Sequence, residues 1–218
     1  MPRLDDEGAA VERKVRLVTL LRAAENAGLT PMPIRQLHTL AYLANVLAPV
    51  WHMPVMDGKL LKKQGGPFYP ALQRDLDLLV GMGVVLISNL SHALDENQKW
   101  RLEGSYQLNN DIADKIVETI RAFKTEELIA TFIQELAYAI SSLSDEDIGV
   151  AASQDATYSD SNVSVGNVLD FAEWREVNYS FNAAQKFEQL IPGGGRATYG
   201  ELLHLYVRHL HARLDGNN

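Results

Sequence analysis

Carboxylates, histidines and lysines are the first side chains here to weigh for chemistry, and the 218 residues include no cysteine. Thiolate nucleophiles and disulfides are excluded, and zinc would have to be held by imidazole and carboxylate alone. His204, His209 and His211 fall in one predicted helix. His204 and His211 share a face there, but His209 sits off it, and no His-Glu-x-x-His spacing occurs. These histidines read as surface or interface residues near a helix C-terminus, where positive charge is favoured, and not as metal ligands. His38 and His52 are isolated. Asp145-Glu146-Asp147 follows Ser144, so it reads as a capped helix start rather than an acid/base pair.

Phosphate-binding patterns are missing as well. The sequence has no Gly-x4-Gly-Lys-Ser/Thr and no Gly-x-Ser-x-Gly. Gly81-Met82-Gly83 precedes a predicted strand, and Gly193-Gly194-Gly195 has neither a preceding strand nor a lysine. No catalytic constellation remains. The chain is expected not to be an enzyme, and to carry no cofactor or metal.

Two groups of residues suggest binding instead. Lys59, Lys62 and Lys63 form a basic cluster, Lys99 and Arg101 a second patch, and Arg74 lies on a predicted helix beside Gln73. This is a candidate nucleic-acid surface, but Asp75 and Asp77 on the same helix cancel much of the attraction to phosphate. Trp51, Met53 and Met56 sit in a breaker-rich loop, and Phe68 and Tyr69 open a helix. These aromatic and thioether side chains suit a protein-docking surface. Trp51 and Met53 suit a satellite core beneath the loop equally well. Trp100 is expected in the core.

An apolar fraction of 46% and a charged fraction of 22% are ordinary for a globular chain long enough to bury a sizeable core. Charge is unevenly placed. Through Leu108 there are 12 Lys and Arg against 11 Asp and Glu, a net of +1; from Asn109 onward there are 8 against 17, a net of −9. Any contact with nucleic acid is therefore expected from the first half. The acidic, polar start Met1-Pro2-Arg3-Leu4-Asp5-Asp6-Glu7 lacks the pattern of a secretory signal, and no apolar run approaches a membrane span. A cytoplasmic location is expected.

The fold expected is mostly α. Val11, Val15, Val18 and Leu21 recur at helical spacing, and Gly28 closes that helix. Leu37, Leu40, Ala41, Ala44 and Leu47 stripe a second helix, and Leu72, Leu76, Leu79 and Val80 a third, stopped by Gly81 and Gly83. Val84–Ser88 reads as a strand, Ser91–Gln98 as a loop and Lys99–Leu102 as the return strand. Three helices followed by a hairpin is the winged-helix order, expected over residues 1–108. Residues 109–218 read as a helical domain. Its first helices carry Ile112, Ile116, Ile120 and Phe123, then Leu128, Ile129, Phe132, Leu136 and Ile140, and a small, polar stretch near 151–166 reads as a mobile loop. Further helices are expected around Val168–Trp174, Phe181–Leu190 and Ala197–Leu214.

The stretches Pro33–Leu43 (PIRQLHTLAYL) and Gly66–Val85 (GPFYPALQRDLDLLVGMGVV) resemble the middle-component proteins of bacterial ABC-three-component systems. The resemblance covers about the first 105 residues, and in the second half only the general layout is similar. It implies an accessory winged-helix subunit linking an SMC-like or Rad50-like ABC ATPase to an effector protein in defence against phage or plasmids. It also implies a possible homodimer, and no catalytic residues. The alternatives left by the residues themselves are a DNA-binding winged-helix transcriptional regulator and an antitoxin-like inhibitor acting through the acidic half.

Overall fold

The computed structural model describes residues 4–53, 59–63, 65–94, 98, 100–159, 164–170, 178–188 and 197–216. Helix α1 (Leu4–Asn26) leads through β1 (Met32–Pro33) to α2 (Ile34–Leu47) and a 3-10 turn (Ala48–Trp51). A short hairpin follows, β2 (Lys59–Lys63) and β3 (Gly66–Phe68), then α3 (Pro70–Gly81) and a long hairpin, β4 (Val85–Leu94) and β5 (Trp100–Leu108). The second half contributes α4 (Asn110–Arg121), α5 (Lys124–Ile140), α6 (Asp145–Gln154), β6 (Val168–Asp170), α7 (Tyr179–Glu188) and α8 (Tyr199–Asp215). The chain is mostly helical with two small sheets.

Helix ends fall where glycine permits a left-handed turn. Gly28 at φ +75° follows α1: its N–H reaches the Glu25 carbonyl, and the N–H of Leu29 reaches that of Ala24. Gly83 at φ +74° closes α3 through the same pair of bonds, to Val80 and from Val84 to Leu79. Ser144 caps α6, its hydroxyl accepting from the Asp147 N–H at 3.2 Å, so the acidic run after it is a helix start.

The order of three helices and a hairpin over residues 1–108 is present, with additions. β1 pairs with β5 (Met32 opposite Tyr106), so the long hairpin belongs to a three-stranded sheet, β1-β5-β4. The lysine segment between α2 and α3 is a strand, not an open loop. β2 pairs on one side with β3 and on the other with β6 from the second half (Leu60 opposite Leu169). β6 replaces the start of the helix expected around Val168–Trp174, whose remaining residues 171–174 lie outside the described residues.

Both halves share one core. Leu17, Leu21, Leu37, Tyr42 and Leu47 join Phe132, Leu136, Ile140, Leu203 and Tyr206 in a single buried cluster, with α1 packed on α5 and α2 on α6. The stretch expected to be a mobile loop begins as the last turns of α6. It continues through Asp155, Thr157 and Tyr158, all buried. Asp155, Thr157 and Tyr158 are bonded internally, whereas Ser159 and residues 164–166 are exposed and 160–163 lie outside the described residues.

Candidate docking surface and buried polar centres

The long hairpin runs outward from the core. Residues opposite one another in an antiparallel pair lie on one face, and successive residues alternate faces. Val85 opposes Leu108 and Ile87 opposes Tyr106; all but the half-buried Ile87 are buried. Beyond them the register shifts between Ser88 and Ser91, where Asn89 takes φ +52° and the strand bulges. Gly104 faces the bulge. A Cβ there would lie 2.8 Å from Ile87 Cδ1 and 3.4 Å from Leu90 Cδ2, so Ile87 and Leu90 share its face. The same face continues through His92 to the pair Leu94–Trp100. Leu90 is 55% exposed, Leu94 50% and Trp100 68%. An apolar face that begins in the core thus emerges into solvent on the outer hairpin, and Trp100 is the reverse of the core residue its sequence context suggests.

The aromatic and thioether candidates are placed differently. Tyr69 is 2% exposed, its hydroxyl accepting from Asn45 Nδ2 at 3.0 Å, so it offers no docking surface. Phe68 is half-buried against His38, with ring centroids 5.0 Å apart. Trp51 is half-buried between Phe132 and Tyr199, and Met53 is half-buried against the core, as the satellite-core reading has it. Met56 lies outside the described residues.

The basic candidates do not form one patch either. Lys59 is exposed, but Lys62 is buried with its ammonium 5.2 Å from the Tyr158 ring centroid, and Lys63 lies 4.0 Å from that of Phe68. Tyr158 fastens this strand by donating to the Lys63 carbonyl at 2.6 Å and accepting from its N–H at 3.1 Å. Arg74 is exposed on α3. Asp75, expected to face outward beside it, is buried and bound to Arg13 Nε of α1 at 2.6 Å. Asp77 stays exposed and accepts from Gln73 at 3.0 Å. Lys99 and the side chain of Arg101 lie outside the described residues.

A few titratable groups lie in the interior. Asp155 is fully buried. Its Oδ2 accepts from the Tyr42 hydroxyl at 2.5 Å, the Ser180 hydroxyl at 2.9 Å and the N–H groups of Thr157 and Tyr158 at 2.9 and 3.1 Å. Its Oδ1 accepts from the Tyr206 hydroxyl at 2.5 Å. Burial, reinforced by Asp155, pushes both tyrosine hydroxyls above their ordinary range, so they stay protonated donors. This carboxylate joins α2, the end of α6, α7 and α8, with its lone pairs taken up by the protein. His38 is a second buried centre. The Tyr69 N–H donates to its Nδ1 at 3.3 Å, which leaves the proton on Nε2, 3.4 Å from Gln73 Oε1. Burial lowers its pKa to about 4, partly opposed by that bond to Gln73, with Lys63 adding to the fall.

The three C-terminal histidines have different surroundings. His204 is exposed, His209 packs on Phe187 and Tyr206, and His211 lies 3.9 Å from Asp147 and 3.8 Å from Asp215. Among the described residues, no group of three or more His, Asp or Glu side chains is placed to hold a metal ion, and no helix is long and apolar enough to cross a membrane. Set beside family models, curated proteins and solved structures, the chain matches none of them.

Proposed function

We propose that this chain is a non-catalytic winged-helix adaptor that grips a partner protein through its outer hairpin. The single observation that carries the reading is the exposed continuation of the core-facing sheet surface through Leu90, Leu94 and Trp100. Apolar side chains of this size each contribute about 1.5–3 kcal/mol when fully covered, and tryptophan is the side chain most enriched at binding hot spots. The order α1, α2, α3, β4, β5 with β1 closing the sheet supports the winged-helix reading. The partner class follows from the resemblance of Pro33–Leu43 and Gly66–Val85 described above: an SMC-like or Rad50-like ABC ATPase, bridged to an effector in a bacterial cytoplasmic defence complex. The acid excess of the second half suits a basic surface on that partner.

The test is co-expression with an SMC-like or Rad50-like ABC ATPase from the same genome, followed by size-exclusion chromatography at micromolar concentration. Co-elution of the native chain is expected, lost when Leu94→Glu and Trp100→Glu are combined. Separate elution of the native chain, or co-elution that survives both charges, overturns the reading.

A specific observation favours a second reading, weak sequence-independent contact with DNA. The burial of Asp75 against Arg13 withdraws one of the two carboxylates from the exposed side of α3, leaving Arg74 with Asp77. Gel shifts across a salt series test it. Binding that weakens steeply with salt and is lost in Lys59→Glu with Arg74→Glu is expected on this reading.

A further inference from the structure

A cavity of about 690 Å³ lies between α1, α4 and the start of α5. Val11, Val15, Ile116, Ile120, Phe123 and Ile129 line it, with Met53 from the turn after α2. Two of these, Val11 (59% exposed) and Phe123 (63%), belong to helix stripes whose spacing predicts burial; here they open onto the cavity. The volume sits within the range of about 300–1,000 Å³ typical of small-molecule sites.

The polar part of the wall is a loose ion pair. Arg16 Nη1 and Glu126 Oε2 stand 3.9 Å apart, beyond hydrogen-bond length, and neither makes a hydrogen bond within the protein although both are screened from solvent. Burial lowers the pKa of the guanidinium, opposed by Glu126 and Glu12. A small shift of either side chain breaks no hydrogen bond at these two atoms and opens the pair to a group that accepts from the guanidinium and donates to the carboxylate. Hydroxyls and primary amides do both. A carboxylate cannot donate and an ammonium cannot accept. The cavity's charged residues, Arg16 and Lys115 against Glu12 and Glu126, sum to zero, so a net charge on the ligand meets no counterpart.

We propose that this cavity binds a neutral amphipathic small molecule, its hydroxyl or amide bridging Arg16 and Glu126 and its hydrocarbon body lying against Val11, Val15, Ile116 and Phe123. The site is remote in sequence from the outer hairpin and does not depend on the docking reading.

Calorimetric titration of the full chain with 1-decanol, decanamide, decanoate and decylammonium tests it. The alcohol and the amide are expected to bind alike, and the two ions at least about tenfold more weakly. Val11→Trp, at an exposed cavity-wall position, is expected to weaken the alcohol at least about tenfold without changing the far-ultraviolet circular dichroism or melting of the free protein. Thr119→Trp serves as a second blocking variant. Glu126→Gln leaves Arg16 and Lys115 against Glu12 alone, a net positive wall, and is expected to raise decanoate affinity to that of the alcohol. Failure of the alcohol and amide to bind, ions binding as well as the neutral heads, or binding untouched by both tryptophans overturns the proposal.

Discussion

Asp155 is a fully buried polar centre and the Arg16–Glu126 pair a half-buried one, and they are built in opposite ways. Around Asp155, hydroxyls from three helices and two backbone N–H groups converge on one carboxylate at 2.5–3.1 Å. At Arg16 and Glu126 two charged groups face each other at 3.9 Å, and the facing atoms lack a hydrogen bond. A buried polar group costs free energy unless it is hydrogen-bonded. The first centre therefore holds the fold together, while the second keeps hydrogen-bonding capacity in reserve beside a cavity.

The contrast is most exposed to failure at Asp155. Asp155→Ala leaves the hydroxyls of Tyr42, Ser180 and Tyr206 without their acceptor, and a loss of at least about 4 kcal/mol is expected in urea unfolding. A loss under about 1 kcal/mol would show that the network is ornamental.

Acid sharpens the comparison through His38, a third buried centre held neutral. With a folded pKa of about 4 against about 6.5 unfolded, the unfolded chain binds the proton first. The stability from this group is therefore present above pH 6.5 and lost as pH falls toward 4. Between pH 7 and 4.5 the loss is about 2 kcal/mol. His38→Gln should remove that part of the slope in urea midpoints measured at the two pH values.

Replacing the ion pair is expected to do much less. Arg16→Met with Glu126→Leu should leave stability within about 1 kcal/mol or raise it, because the pair's desolvation is poorly repaid. A drop of about 3 kcal/mol would place it alongside Asp155. Smallest of all is Trp100→Ser, expected within about 0.5 kcal/mol in thermal unfolding because its ring is already in solvent.

What the sequence makes legible is local. The stops at Gly28 and Gly83 and the Ser144 cap depend on neighbours a few residues away, and each is where its spacing puts it, whereas the helix stripes hold only in part, with Val11, Phe123 and Leu128 exposed. Alternation in the hairpin shows which residues share a face, but not how far along the strand the core extends. Trp100 accordingly reads as core and stands outside it. Asp75 stands three residues after Leu72 and four before Leu79, on the flank of the buried stripe of α3, and the partner that holds it there, Arg13, is 62 residues away. Asp155 sits in a small, polar stretch, with Tyr42 113 residues distant and Tyr206 51. The cavity has no local signature, since it arises where the expected stripes of α1 and α4 do not close on each other.

The strand β6 carries a consequence for any attempt to divide the molecule. It completes a sheet begun by β2 and β3, more than one hundred residues earlier in the chain. Cutting the gene after the codon for Leu108 would leave β2 as a bare edge, ready to recruit a foreign strand and aggregate. Such a fragment would also carry Tyr42 without the carboxylate that holds it. Truncation experiments that sought separate roles for the two halves would then report the insolubility of an orphan edge rather than a division of labour.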